Sequence, residues 1–222
     1  VVEEVGTRTP AQMRELIIER LRASVPNTDP QRTRVAGMTQ EQFEASRRLW
    51  PQSPTAAAVL VPIVEREDAL YLLFTQRAQH MRRHAGQISF PGGRVESGDL
   101  SHVEAALRET EEEIGLQRSF VTVAGFLDAH LALSGYSIVP IVGFVRPGFE
   151  LNLNPAEVAE VFEVPLEHMF NPANHKTREM FAQGVNYPVY DIRYGERSIW
   201  GATAGIVMTL YRLIFGDVAP PA

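Results

Sequence analysis

The chain has 222 residues, 45% of them hydrophobic, with 27 acidic residues against 21 basic ones and a net charge of −6. That length supports one good core, the mildly acidic balance argues against a broad nucleic-acid surface, and the lack of any apolar run of about 18 residues argues against a membrane helix. Cysteine is absent, which excludes disulfides, thiolate nucleophiles and thiolate metal sites.

The opening Val1-Val2-Glu3-Glu4 has neither a signal-peptide apolar region nor basic transit character, so a cytoplasmic protein is expected. Residues 10–23 place Met13, Leu16, Ile17 and Leu21 on one face and are expected to form an amphipathic helix. Residues 26–37 read as a linker. Residues 39–49 read as a second short helix, with Thr39 as N-cap and Gln42 completing a capping box. Residues 55–64 are rich in Ala, Val and Ile and read as a buried strand; Glu65-Arg66-Glu67-Asp68 turns the chain, and 69–75 return as a second strand.

From Ala69 to Val95 there is no acidic residue, but Arg77, Arg82, Arg83 and Arg94 are present; from Glu96 to Glu113 there are seven acids and one strong base, Arg108. A basic block directly before an acidic one suits an anionic substrate held through a cation: arginines take peripheral phosphates, and carboxylates take the metal. His80 and His84 are four residues apart, but their block lacks an acidic third ligand, so a metal role is not expected of them. Gly92-Gly93 is no dinucleotide fingerprint, since the spacing is wrong. Its expected use is close backbone approach.

The next helix is well marked. Ser101-His102-Val103-Glu104 reads as a capping box, Gly115 as the left-handed end, and Val103, Leu107, Thr110 and Ile114 as the buried stripe. Glu104 is placed to pair with Arg108 four residues on. Glu109, Glu112 and Glu113 share a face. Alone, such a helix is an ordinary solvated one; beside the basic block, three crowded carboxylates point to Mg²⁺ or Mn²⁺.

Downstream, 120–131 and 136–145 read as strands around Ser134-Gly135, Asn154-Pro155-Ala156-Glu157 as a short helical turn, 161–164 as a brief strand, and 166–170 as a turn of helix. Residues 185–192 and 197–200 read as a hairpin, with Tyr187, Tyr190 and Trp200 as core rather than a base-stacking platform. Residues 203–215 read as an apolar closing helix bearing Ile206, Val207, Leu210, Leu213 and Ile214. The expected organisation is a helical extension (1–50), one domain (51–216) and a tail (217–222).

Two motifs carry a family resemblance. Gly93, Asp99 and Arg108-Glu109-Thr110-Glu111-Glu112-Glu113-Ile114-Gly115-Leu116 resemble the box of the Nudix hydrolases, with Asp99 for the usual Glu, one extra spacer residue and Thr110 at an aliphatic position. Leu73-Phe74-Thr75-Gln76-Arg77-Ala78, Arg82, Gly86 and Phe90-Pro91-Gly92-Gly93 are similar to the signature of the coenzyme A pyrophosphatase branch, with Phe74 for Leu. Together the motifs span residues 73–116.

The resemblance implies an α/β/α sandwich with a mixed β-sheet, and metal-dependent hydrolysis of coenzyme A or acyl-coenzyme A to 3′,5′-ADP and 4′-phosphopantetheine products. It implies Glu109, Glu112, Glu113 and the Gly93 carbonyl as metal ligands and Arg108 as their orienting partner. Arg77, Arg82, Gly86 and Phe90 are implied on the substrate. The general base comes from the box or from a downstream loop, where Glu157 is the candidate, with Glu160 behind it. A small-molecule substrate, no nucleic acid and no membrane are expected, and a homodimer is left open. Two alternatives stand beside this: hydrolysis of another nucleoside diphosphate derivative such as ADP-ribose, or a non-catalytic nucleotide-sensing domain.

Overall fold

The computed structural model describes residues 8–28, 53–81, 84–182 and 185–216. Arg82, the helix expected over 39–49 and the tail lie outside the described residues. In chain order the elements are α1 (Pro10–Leu21), β1 (Thr55–Glu65), β2 (Leu70–Arg77), β3 (Ile88–Ser89), β4 (Gly92–Arg94) and α2 (His102–Ile114). Then come β5 (Val121–Phe126), β6 (His130–Ala132), β7 (Tyr136–Val145), β8 (Val158–Pro165) and α3 (Leu166–Phe170). The chain closes with β9 (Lys176–Ala182), β10 (Val185–Tyr194), β11 (Arg197–Trp200) and α4 (Gly201–Phe215).

β1 is apolar along most of its length because both its faces are covered. It runs parallel to β7, from Thr55 opposite Tyr136 to Val64 opposite Val145, and antiparallel to β2, with Ile63 opposite Leu72. Along β1, β2 is paired at Ile63–Glu65 and β4 at Ala57–Val59. The segment carrying β3 and β4 therefore bridges the two strands: Ile88 and Ser89 pair with β2, and Gly92 to Arg94 pair with β1. This is what carries Gly92 and Gly93 onto the central strand. β5 and β6 extend the sheet beside β7, and β8 lies against β2.

Alternation along the strands divides the core in two. Leu60 and Val64 of β1, Leu73 of β2 and Ile141 and Val145 of β7 face α2, together with its Ala105, Ala106 and Ile114. Val61 and Ile63, Leu72 and Phe74, and Val142 and Phe144 face the other way. There they meet Met13, Ile17 and Leu21 of α1, Tyr190 and Ile192 of β10, and Ile206, Val207, Leu210 and Ile214 of α4. The result is a mixed α/β sandwich, as expected. Among the described residues no helix is long and apolar enough to cross a membrane.

Several elements differ from expectation. Residues 120–131 divide into a 3₁₀ turn (Arg118–Phe120), β5 and β6, with a register shift between Val123 and Gly125. Residues 154–157 form a turn rather than a helix, and β8 extends from Val158 to Pro165. The late hairpin gains a third strand, β9, whose Lys176, Arg178 and Glu179 interrupt any apolar alternation. Among the described residues the complete capping box is that of Thr9 and Gln12 at α1; at α2, Ser101 accepts from the Glu104 N–H over 3.2 Å, while the Glu104 carboxylate goes to Arg118.

Candidate active site

The buried side of α2 is lined by Ala105, Ala106, Thr110, Glu113 and Ile114, with Val103 and Leu107 only partly covered. Two alanines at the centre let the helix approach β1 and β4 closely. Thr110 fits an aliphatic position because its hydroxyl donates to the Ala106 carbonyl over 2.7 Å. Gly115 ends the helix at φ 71°, its N–H bonded to the Glu111 carbonyl over 2.9 Å.

This packing sends the three candidate carboxylates to different places. Glu113 is 4% exposed, and one of its oxygens accepts the Gly92 N–H over 3.1 Å. The other lies 3.8 Å from Arg77 Nη1. Burial pushes the Glu113 carboxyl up to about 7, against the pull of Gly92 and Arg77 and with further push from Glu157 and Glu109. Glu109 is also raised, by burial first, with Arg108 opposing and Glu112 and Glu157 adding. Its carboxylate rests against Gly93: a methyl group placed there would come 2.5 Å from the carboxyl carbon. Glu112 is turned outward, 57% exposed, with Oε2 3.2 Å from Arg108 Nη1.

Arg108 connects the loop to the helix. Its Nε and Nη2 each donate to a separate Asp99 oxygen over 3.0 Å. Nη1 donates to Glu109 over 3.1 Å and to Glu112, and Nη2 also reaches the Arg94 carbonyl at 3.2 Å. Asp99 further accepts the Glu96 N–H over 2.7 Å, and Arg108 followed by this N–H holds its carboxyl below the usual range. The expected Glu104–Arg108 pair does not form: Asp99 offers Arg108 two bonds, and Glu104 and Glu111 are engaged by Arg118.

Glu157 arrives on the turn before β8. Its N–H bonds to the Asn154 carbonyl over 3.0 Å, its own carbonyl accepts from Ala78 N–H over 2.8 Å, and Asn154 Nδ2 donates to its carboxylate over 3.3 Å. The β2–β8 ladder is irregular between Gln76 and Arg77, where Glu160 faces Gln76 and Val158 faces Arg77. Such bulges re-aim side chains; here the break falls at the residue whose guanidinium meets Glu113. Glu160 instead pairs with Arg197 of β11.

The remaining expected substrate residues are structural in their contacts. Gly86 has φ 70°, and its N–H bonds to the Arg77 carbonyl over 3.1 Å, closing the loop base. Phe90 is 3% exposed and stacks on Phe74 with ring centres 4.9 Å apart, which leaves its ring little surface for a substrate. Spacing along the chain does not show Asp99 as the anchor of Arg108, nor Asn154 as a partner of Glu157. For Asn154 the available signal was Asn-Pro-Ala-Glu read as a turn instead of a helix start.

The donor set suits a hard divalent cation, with carboxylates on one helix and the neighbouring Gly93 carbonyl. Burial first, with repulsion from neighbouring carboxylates added, raises Glu109 and Glu113, and a cation offsets both effects. As they stand, no three acidic or histidine side chains among the described residues are gathered closely enough to hold one. Arg108 keeps Glu112 outward, and repulsion opposes closer approach.

A family model for the NUDIX domain matches residues 54–183. A protein named as an uncharacterized Nudix hydrolase, NudL, from Shigella flexneri serotype 5b (strain 8401) is 39% identical over 160 residues, covering 72% of this chain and 83% of that one. The NudL of Yersinia pestis (strain Pestoides F) is 42% identical over 154 residues, covering 69% of this chain and 77% of its own. The matched span contains the bridging segment, α2 and the Asn154–Glu157 turn, so the residues that converge here lie within the shared region, and the chain belongs to the NUDIX domain family.

Proposed function

We propose that this Nudix hydrolase cleaves the diphosphate bond of coenzyme A or an acyl-coenzyme A, releasing 3′,5′-ADP and the corresponding 4′-phosphopantetheine. One observation carries the reading. The segment resembling the coenzyme A signature and the box are joined at Glu113, which takes the Gly92 N–H on one oxygen and faces Arg77 from the other.

Glu109, Glu112, Glu113 and the Gly93 carbonyl are the residues that would hold Mg²⁺ or Mn²⁺. Such a cation supplies charge neutralisation at the reacting phosphate and makes water more acidic. Glu113 and Glu109, destabilised as buried anions, favour a cation as partner. Arg108, gripped by Asp99, orients Glu109 and Glu112. Arg77 offers a guanidinium to a phosphate oxygen beside Glu113. Glu157 takes the proton of the attacking water, as a carboxylate does when it is held on a loop near the reacting centre.

The test is a phosphorus NMR or chromatographic screen of coenzyme A, acyl-coenzyme A, ADP-ribose and NADH with Mg²⁺ and with Mn²⁺, each with and without chelator. The expected result is chelator-sensitive cleavage, fastest on coenzyme A or its acyl derivatives. Faster cleavage of ADP-ribose would replace the substrate assignment. Binding of a nucleotide with no cleavage of any would point to a sensing domain.

A further inference from the structure

Asn154 makes five hydrogen bonds that together join the end of α2 to Glu157. Its backbone N–H donates to the Glu113 carbonyl over 2.9 Å, and its carbonyl accepts the N–H groups of Glu157 at 3.0 Å and Val158 at 2.9 Å. Its side-chain Oδ1 accepts the Ala156 N–H over 3.1 Å, and Nδ2 donates to Glu157 Oε1 over 3.3 Å. The two ends of the amide are thus assigned by their partners. The acceptor end closes the turn over Pro155, so the donor end has to face the carboxylate. A second tether holds the turn from the other side, through Ala78 N–H to the Glu157 carbonyl at 2.8 Å and His80 Nε2 to the Ala156 carbonyl at 3.1 Å.

We infer that Asn154 is a positioning residue for the reaction: it fixes the Glu157 carboxylate relative to the last turn of α2, and so relative to Glu113. The inference rests on the reading of Glu157 as proton acceptor. Pinning of this kind matters because a reacting group displaced by about 1 Å loses much of its rate. The amide does both at once from separate atoms, Oδ1 accepting within the turn and Nδ2 donating to the carboxylate. Aspartate keeps the shape and the acceptor, but turns an oxygen where the donor stood.

The test is a double-mutant cycle in the full chain, with Asn154→Asp, Glu157→Gln and both together. The measured quantities are kcat, KM for coenzyme A, thermal midpoint and Mn²⁺ affinity by electron paramagnetic resonance. Asn154→Asp is expected to lower kcat by about 10- to 100-fold, with KM, Mn²⁺ affinity and melting unchanged. In the Glu157→Gln background the same substitution is expected to cost less than about threefold, because the group it positions is already gone. Asn154→Ser, which keeps an oxygen for the turn but replaces the two-ended amide with one shorter hydroxyl, runs through the same cycle and guards against a folding loss specific to aspartate. Equal losses in both backgrounds, or a kcat within about twofold of the parent, would overturn the positioning role while leaving Glu157 in place. Normal turnover of Glu157→Gln alone would remove Glu157 from the reaction, and the role of Asn154 with it.

Discussion

Asp99 and Arg108 meet as a two-pronged fork, with Nε on Oδ1 and Nη2 on Oδ2, both at 3.0 Å. The fork ties the loop after β4 to the middle of α2. It aims the remaining Nη1 at Glu109 and Glu112. Asp99→Asn keeps the size but loses the charge and one acceptor, so Arg108 should lose its fixed direction. Steady-state kinetics should show kcat lower by about 10- to 100-fold, with circular dichroism unchanged. Turnover near that of the parent would mean that Glu109 and Glu112 orient Arg108 unaided.

Adjacent glycines should fail in different ways. A methyl group on Gly93 would strike the Glu109 carboxyl carbon at 2.5 Å, which is the end of a flexible side chain. Gly93→Ala should therefore fold, melt near the parent and lose at least about tenfold in kcat. Gly92 has φ 146°, and a methyl group there would meet the Ala58 carbonyl at 2.4 Å and Val59 Cα at 2.6 Å. The backbone of β1 cannot yield as a side chain does, so Gly92→Ala should cost about 2 kcal/mol or more in urea unfolding.

Arg77 lies beside Glu113, and under the proposed function its positive charge would serve the reacting diphosphate. Arg77→Ala should raise KM or lower kcat to the same degree for coenzyme A and dephospho-coenzyme A. A selective loss on coenzyme A would assign this arginine to the 3′-phosphate instead.

His130 on β6 is 6% exposed, and burial lowers its pKa from 6.5 to about 4. The unfolded chain takes up this proton more readily than the folded one, so the contribution is fully present above pH 6.5 and is lost as pH falls toward 4. Between pH 7.5 and 4.5 the loss is about 2–3 kcal/mol. His130→Gln should flatten that part of the pH–stability curve in urea melts, relative to the parent. Parallel curves would show that the imidazole protonates without cost in the folded state.

Tyr190, Ile192, Ile199, Ile206, Val207, Leu210, Tyr211 and Ile214 belong to one cluster with Ile63 and Phe74 of the central sheet. Each contributes about 1.5–3 kcal/mol when fully buried, against a typical net stability of about 5–15 kcal/mol. A chain ending before Val185 should be insoluble or should melt without cooperativity. A soluble, cooperative and active truncation would make the late segment an appendage.

What the sequence made legible was local. Richness in Ala, Val and Ile marked β1, the turns at 65–68 and Ser134-Gly135 bounded β2 and β7, and the helical spacing of Thr110 and Ile114 with Ser101 and Gly115 at the ends marked α2. What it hid depended on contacts distant along the chain. The i, i+4 rule paired Arg108 with Glu104, but Asp99, folded back by the loop, competes for the same guanidinium with two bonds. The apolar stripe singled out Val103 and Leu107, whereas the closest packing is by Ala105 and Ala106, whose small size is what close approach needs. Glu109, Glu112 and Glu113 share a helix face by spacing, yet their exposures differ because Gly92 draws one inward and Arg108 holds another outward. Phe90 belonged to a binding-type motif and proved to be core.

The base of the loop that follows β2 is closed by two hydrogen bonds, Arg77 N–H to the Gln87 carbonyl at 2.9 Å and Gly86 N–H to the Arg77 carbonyl at 3.1 Å. Within this loop Ala78 and His80 are also tied to the Glu157 turn. The two ends of the loop are clamped to each other, and the glycines beyond it are clamped to β1. Loop-closure entropy rises only slowly with length, so residues added between His80 and Gly86 would leave Gly92 and Gly93 where they are. A lineage of such chains can therefore vary the length of this loop while inheriting α2 and the glycines that meet it unchanged.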